Sequence, residues 1–240
     1  MRWHVKSIIF RGHDFGEICT AKTVLPPSIC SIPKTRTIPG RPGALLVSGQ
    51  MQPTEIKVRL MLRSDRRMDA AELSRTRHML AAWLAEAGSL VLPEEPDLTY
   101  RDCVVTEGVA WDELMEDGAC TVTFTVHDPV AYGPLRSVRD LSFTVGGTWP
   151  TSPVVTVEAV ASKTFSISLD GDAILTFLDP TRNGDIVVFD SVTGRVTVNG
   201  EVADARMSLT SSFFRMSPGE HALSLRACSL VSCEFHERWL

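Results

Sequence analysis

Between Phe143 and Phe235 the chain is interrupted at short intervals by turn dipeptides: Gly146-Gly147, Asp170-Gly171, Asn183-Gly184, Thr193-Gly194, Asn199-Gly200 and Pro218-Gly219. Such pairs supply the positive φ that tight hairpins require. The stretches between them are short and rich in β-branched and aromatic residues: Val154–Val160, Thr164–Leu169, Ile174–Leu178, Asp185–Asp190, Arg195–Val198, Phe213–Met216, His221–Leu225 and Ser229–Phe235. This punctuation leaves no room for a packed helix and predicts a β-sandwich of jelly-roll type. The pattern changes near residues 136–142, so two domains are expected, 1–140 and 141–240.

The first half is also mainly β. Ile18–Leu25, Ala44–Val47, Tyr100–Glu107 and Cys120–His127 read as strands, and Glu55–Leu62 alternates with Ile56, Val58, Leu60 and Leu62 on one side. One helix is expected over about 69–87. Asp69 and Glu72 form a capping box. Leu73, Leu80, Trp83, Leu84 and Ala87 make its apolar stripe, and Gly88 is its stop. The N-terminal domain is thus predicted as sandwich-like with one helix. The exception is residues 26–43, which hold Pro26, Pro27, Pro33, Pro39 and Pro42. Proline withholds the ladder N–H, so this segment is not a central strand. It reads as an extended belt whose apolar residues and cations dock against another body.

The formal net charge is −5, with 24 Lys+Arg against 29 Asp+Glu, which argues against general nucleic-acid binding. The basic excess lies in residues 1–100 and the acidic excess beyond, an asymmetry that reads most simply as a solvated surface and alternatively as an aid to head-to-tail meeting of copies. No apolar run reaches the ~18–20 residues of a membrane helix, and no secretory signal pattern opens the chain, so folding in a cytoplasm and no membrane insertion are expected. The six cysteines form no C-x-x-C pair and read as reduced, mostly buried residues. Cys228 and Cys233 are five apart, which on one regular strand puts them on opposite faces.

The sequence contains no G-x-S-x-G, H-E-x-x-H, G-x-G-x-x-G or Walker A motif. Asp170 and Asp172 flank a hairpin glycine and read as turn residues. Asp179–Asp185 lacks the pattern of a calcium loop and reads as a turn as well. Trp111, Trp149 and Trp239 are candidate sugar platforms, with core or interface packing the commoner role of such residues. No catalytic residue, metal or cofactor is expected. A carbohydrate-binding, host-adhesion protein that uses the C-terminal sandwich stands as the alternative to a structural protein.

Several short motifs recur in a set order. Pro39-Gly40-Arg41-Pro42-Gly43 follows the belt. Trp83-Leu84, Gly88 and Leu90 follow the helix, then Pro96-Asp97 and Tyr100, then Asp128-Pro129 at a strand end. Gly147-Thr148 precedes Pro153, then come Asp185, Val188, Asp190 and Gly194, and Phe213-Phe214, Met216 and Pro218-Gly219. This order resembles the distal tail proteins (Dit) of long-tailed siphophages over nearly the whole chain. Pro42 stands where the family usually has an acid, and His221 where it often has Asn. The resemblance implies a structural hub in the virion tail tip, of phage or prophage, made in the bacterial host cytoplasm. It implies a homo-hexameric ring built by the N-terminal domains and a galectin-like C-terminal sandwich. It implies as partners the tail tube protein, the tail-associated lysin or fibre protein, the tape measure protein and receptor-binding proteins, with phage DNA passing the channel without specific binding. The inter-subunit residues expected from the belt and loop are Pro26, Pro27, Ile29, Ile32, Arg36, Ile38, Gly40, Arg41 and Gly43. Leu73, Leu80, Trp83 and Leu84 are expected to pack the helix.

Overall fold

The structure, a computed structural model, describes residues 7–28, 30–63, 68–160, 164–178 and 181–240. Two compact units divide it: residues up to Tyr132 together with Leu240, and Gly133–Trp239.

The first unit contains β1 (Ile9–Phe10), β2 (His13–Asp14), β3 (Cys19–Leu25), β4 (Ser31–Thr37), β5 (Ala44–Met51), β6 (Thr54–Leu62), β7 (Gly88–Leu92), β8 (Glu95–Val105) and β9 (Ala119–Val126). Seven of these strands form one antiparallel sheet in the order β3-β6-β9-β8-β7-β1-β2. The sheet rolls on itself: Phe10 of β1 and Phe124 of β9, separated by two strands in the order, bring their rings to 5.1 Å. Alternation explains the core. Ile56, Val58 and Leu60 from β6 and Val122, Phe124 and Val126 from β9 are all fully buried. Thr123 is on the intervening register yet is also buried, with its hydroxyl donating to Glu107 Oε2 at 2.6 Å.

Helix α1 covers Ala70–Leu84 and is started by Asp69, whose Oδ1 accepts from the Glu72 N–H at 2.7 Å while Glu72 Oε2 accepts from the Asp69 N–H. Leu80 and Leu84 are buried in the core, Trp83 is half-buried against it and Leu73 is half-buried. The helix ends three residues before the expected Ala87, which is exposed. Gly88 is not its cap but the first residue of β7, and the aliphatic stem of Arg11 fills the space a Cβ would take. A second helix, α2 (Trp111–Glu116), was not anticipated; at 6 residues it is too short for periodicity to mark it.

The second unit starts inside β10 (Ala131–Val138). It continues with β11 (Ser142–Val145), β12 (Val154–Ala159), β13 (Phe165–Leu169), β14 (Ala173–Phe177), β15 (Ile186–Asp190), β16 (Arg195–Val198), β17 (Glu201–Val202), β18 (Gly219–Arg226) and β19 (Cys228–Trp239). One of its sheets runs β17-β16-β15-β12-β19-β10 and the other β11-β18-β13-β14. Rings from the two sheets meet in a common core, with Phe165 6.0 Å from Phe189 and Phe143 5.8 Å from Phe235. Phe213–Met216 is not a strand: it makes an isolated bridge between Met216 and Thr151, while Phe214 and Met216 are buried. A β-bulge opposite Thr156 and Val157 corrects the reading of Cys228 and Cys233. The extra residue restores parity, so both cysteines lie on the face of Val155 and Ala159. Among the described residues no helix is long and apolar enough to cross a membrane.

Candidate functional site

The segment expected as an extended belt is half of a hairpin. β4 and β5 pair only with each other, in a two-stranded antiparallel ribbon. Its root is held by Thr54, a buried residue whose hydroxyl accepts from the Ser28 N–H at 3.1 Å and donates to the Ser28 carbonyl at 2.8 Å. A second clamp runs from the Gln52 N–H to the Cys30 carbonyl at 2.9 Å. At the tip, the Arg41 N–H reaches the Ile38 carbonyl at 3.1 Å. With Pro39 second and Gly40 third at φ 80, this is a type II turn, which needs a glycine at that place. Gly43 at φ 81 turns the chain into β5.

Proline in the ribbon follows from its isolation. Pro33 sits opposite Gly49 in a sheet of two strands, where a missing N–H can face solvent. Side chains directly opposite each other share a face. One face therefore carries Ile32, Lys34 and Arg36 with Leu45, Ser48 and Gln50; the other carries Pro33, Thr35 and Thr37 with Ala44, Leu46 and Gly49. Neither face is covered: every residue from Ser31 to Gln50 is exposed, among them Ile32 at 58%, Leu46 at 64% and Val47 at 56%. The ribbon thus concentrates exposed apolar groups on one element, the kind of surface on which a partner can dock.

The sequence-derived interface residues fall along this element. Pro26 and Pro27 lead into the root, Pro26 exposed and Pro27 half-buried. Ile32 and Arg36 share the cationic face of β4, and Ile38, Gly40, Arg41 and Gly43 form the tip. Ile29 lies outside the described residues. Sequence reasoning read Ala44–Val47 as a strand, but missed that the strand runs on to Met51, that it pairs with the belt, and that Leu45, Leu46 and Val47 are exposed on it. The signal was present: two near-equal uncharged or basic segments flanking a Pro-Gly-Arg-Pro-Gly turn.

In the second unit Asp170 and Asp185 serve the fold. Asp170 Oδ1 accepts from the Ala222 N–H at 2.8 Å and its Oδ2 lies 2.6 Å from His221 Nδ1, contacts that hold its carboxyl below the usual range, the backbone N–H foremost. Asp185 accepts from the Arg182 N–H and the Asn199 side-chain amide and is likewise lowered. The start of its loop, Asp179-Pro180, lies outside the described residues. Among the described residues no three His, Cys, Asp or Glu side chains gather as a metal site. A polar cleft of about 490 Å³ beside Arg182, Asp185, Asn199, Glu201 and Arg206 has no aromatic ring among its lining residues. Burial pushes the Cys19, Cys103 and Cys233 thiols up to about 12 and those of Cys120 and Cys228 up to about 11. Cys30, at the ribbon root, is exposed, contrary to the expectation of mostly buried cysteines for this one residue. Trp111 is half-buried against the first core, Trp149 is half-buried and Trp239 is 36% exposed.

Two family models match the chain in succession. The phage tail protein RIFT-related domain matches residues 15–126, and the siphovirus-type tail component, C-terminal domain, matches residues 146–239. No curated protein sequence matches significantly. Among solved structures, the chain is similar to SPP1 Dit (gp 19.1), described as a paradigm of the hub adsorption apparatus in phages that infect Gram-positive hosts. The TM-score is 0.72 at 18% identity, over 97% of this chain and 98% of that one. A chain of the phage P2 baseplate in its activated conformation with calcium gives a TM-score of 0.43 at 11% identity, over 92% of this chain and 90% of that one. With a tail-protein model on each unit and the Dit fold from end to end, the chain belongs to the siphovirus-type distal tail protein (Dit) family.

Proposed function

We propose that this protein is the structural hub of a phage tail tip, a homo-hexameric ring that joins the tail tube to the tail-associated lysin or fibre protein and docks receptor-binding proteins. It works by assembly and carries out no catalysis; phage DNA passes its channel without specific binding. The observation that carries this reading is the rooted ribbon, left exposed on both faces by its own subunit. A ring requires a heterologous contact that closes on itself, in which one patch of each subunit meets a different patch of the next. A two-stranded ribbon that is fixed at its base and uncovered along its length is suited to such a reach, since its ordering cost is already met within the subunit. Light scattering during size-exclusion chromatography, with negative-stain images, tests it. The expected particle is a closed ring with about six times the 26.4 kDa subunit mass. A monomer at every concentration, alone and with the tail tube or lysin partner present, would refute it.

A further inference from the structure

We infer that the cationic face of the ribbon docks on the carboxylates of α2 in a neighbouring copy, so that this pairing is the heterologous contact of the ring. The inference rests on the ring reading above and adds to it which two surfaces meet.

Two unmatched charge sets occur in the first unit. From Ser31 to Met51 there are three cations, Lys34, Arg36 and Arg41, and no carboxylate. Lys34 and Arg36 lie on one face with Ile32 and Leu45, and Arg41 is at the tip. None of the three meets an acid among the described residues. The opposite set lies on α2 and its cap, where Asp112, Glu113, Glu116 and Asp117 are all exposed. Trp111 and Met115 beside them are only part-buried, an apolar floor to match Ile32 and Leu45.

Most other carboxylates of this unit are engaged within it. Asp69 and Glu72 close the cap of α1, Glu86 meets Arg11, Glu94 accepts from Thr23 and Glu95 accepts from the Tyr100 hydroxyl. The four on α2 have no cation or hydrogen-bond donor among the described residues. Four neighbouring like charges repel one another in the free subunit, and a cationic partner relieves that repulsion. Within one subunit the two sets are both exposed, so they do not cover each other. A second copy satisfies both at once, and the repeat of the contact from copy to copy is of the heterologous kind.

The test uses the full chain with two charge reversals, K34E/R36E on the ribbon and D112K/E116K on α2. All four positions are exposed, so melting temperatures stay within a few degrees of the wild type and report folding. Native mass spectrometry and sedimentation give the concentration of half-assembly. Each reversal alone is expected to raise it about tenfold or more, because like charges are brought face to face. Their combination is expected to restore it to within about threefold, and wild-type assembly is expected to weaken as salt shortens the reach of the charges. A wild type that assembles equally well with either reversal present overturns this pairing and leaves the ring reading intact, as does a combination that fails to recover. A wild type that never assembles overturns both.

Discussion

Thr54→Val removes one oxygen at the root of the ribbon and little else. The side chains match in volume and Thr54 is buried, so no cavity follows. The hydroxyl makes two hydrogen bonds, accepting from the Ser28 N–H and donating to its carbonyl. At about 0.5–1.5 kcal/mol net for each, the loss is about 1–3 kcal/mol, moderated by water reaching the partly exposed Ser28 groups. The remaining root bond, Gln52 N–H to the Cys30 carbonyl, still ties the strands. The loss therefore acts on local opening of the ribbon and not on the core. A change of about 1–2 kcal/mol multiplies the open population about five- to thirtyfold. Trypsin reads that population. Lys34 and Arg36 are each followed by threonine and are cleavable, whereas Arg41 is followed by Pro42 and resists. When opening is fast relative to cleavage, the rate tracks the open fraction. The first cuts of the monomer are expected at Lys34 and Arg36, about five to thirty times faster in the variant, with the thermal midpoint nearly unchanged. Equal cleavage rates, or a midpoint that collapses with the root, would refute the argument that Thr54 is a local clasp.

Four further outcomes follow from the same geometry. Phe124→Ala, which empties a fully buried site against Phe10, is expected to cost about 3–5 kcal/mol in the urea unfolding of the first unit. Gly40→Ala places a Cβ at φ 80, where open space removes crowding but not backbone strain; about 1–2 kcal/mol of local destabilisation is expected as faster amide exchange at the ribbon tip. In the native chain one thiol per subunit, Cys30, is expected to react rapidly with Ellman's reagent, and all six after unfolding; a C30S chain that still reacts rapidly contradicts this. The buried thiols ionise above their ordinary value near 9, so the unfolded chain loses protons first as pH rises. Stability is then expected to hold below about pH 9 and to fall between about 9 and 12, measured as a declining urea midpoint.

The sequence by itself determined the β class, the turns of the second unit and the start of α1. These depend on chemistry between neighbours: a glycine or asparagine where φ must be positive, alternation across a pleat, an Asp and a Glu three apart closing a cap. Asn199 and Gly200, both at positive φ, join β16 to β17 for that reason. The tertiary structure decided what depends on distant residues. It ended α1 early because Gly88 was needed under Arg11, a residue far away in the chain. It put Cys228 and Cys233 on one face because a bulge against β12 changed the parity that spacing alone implies. Above all, it paired the proline-rich belt with Ala44–Met51. In sequence that strand reads as one more piece of the core, because exposure belongs to the whole fold and leaves no mark on a short apolar run.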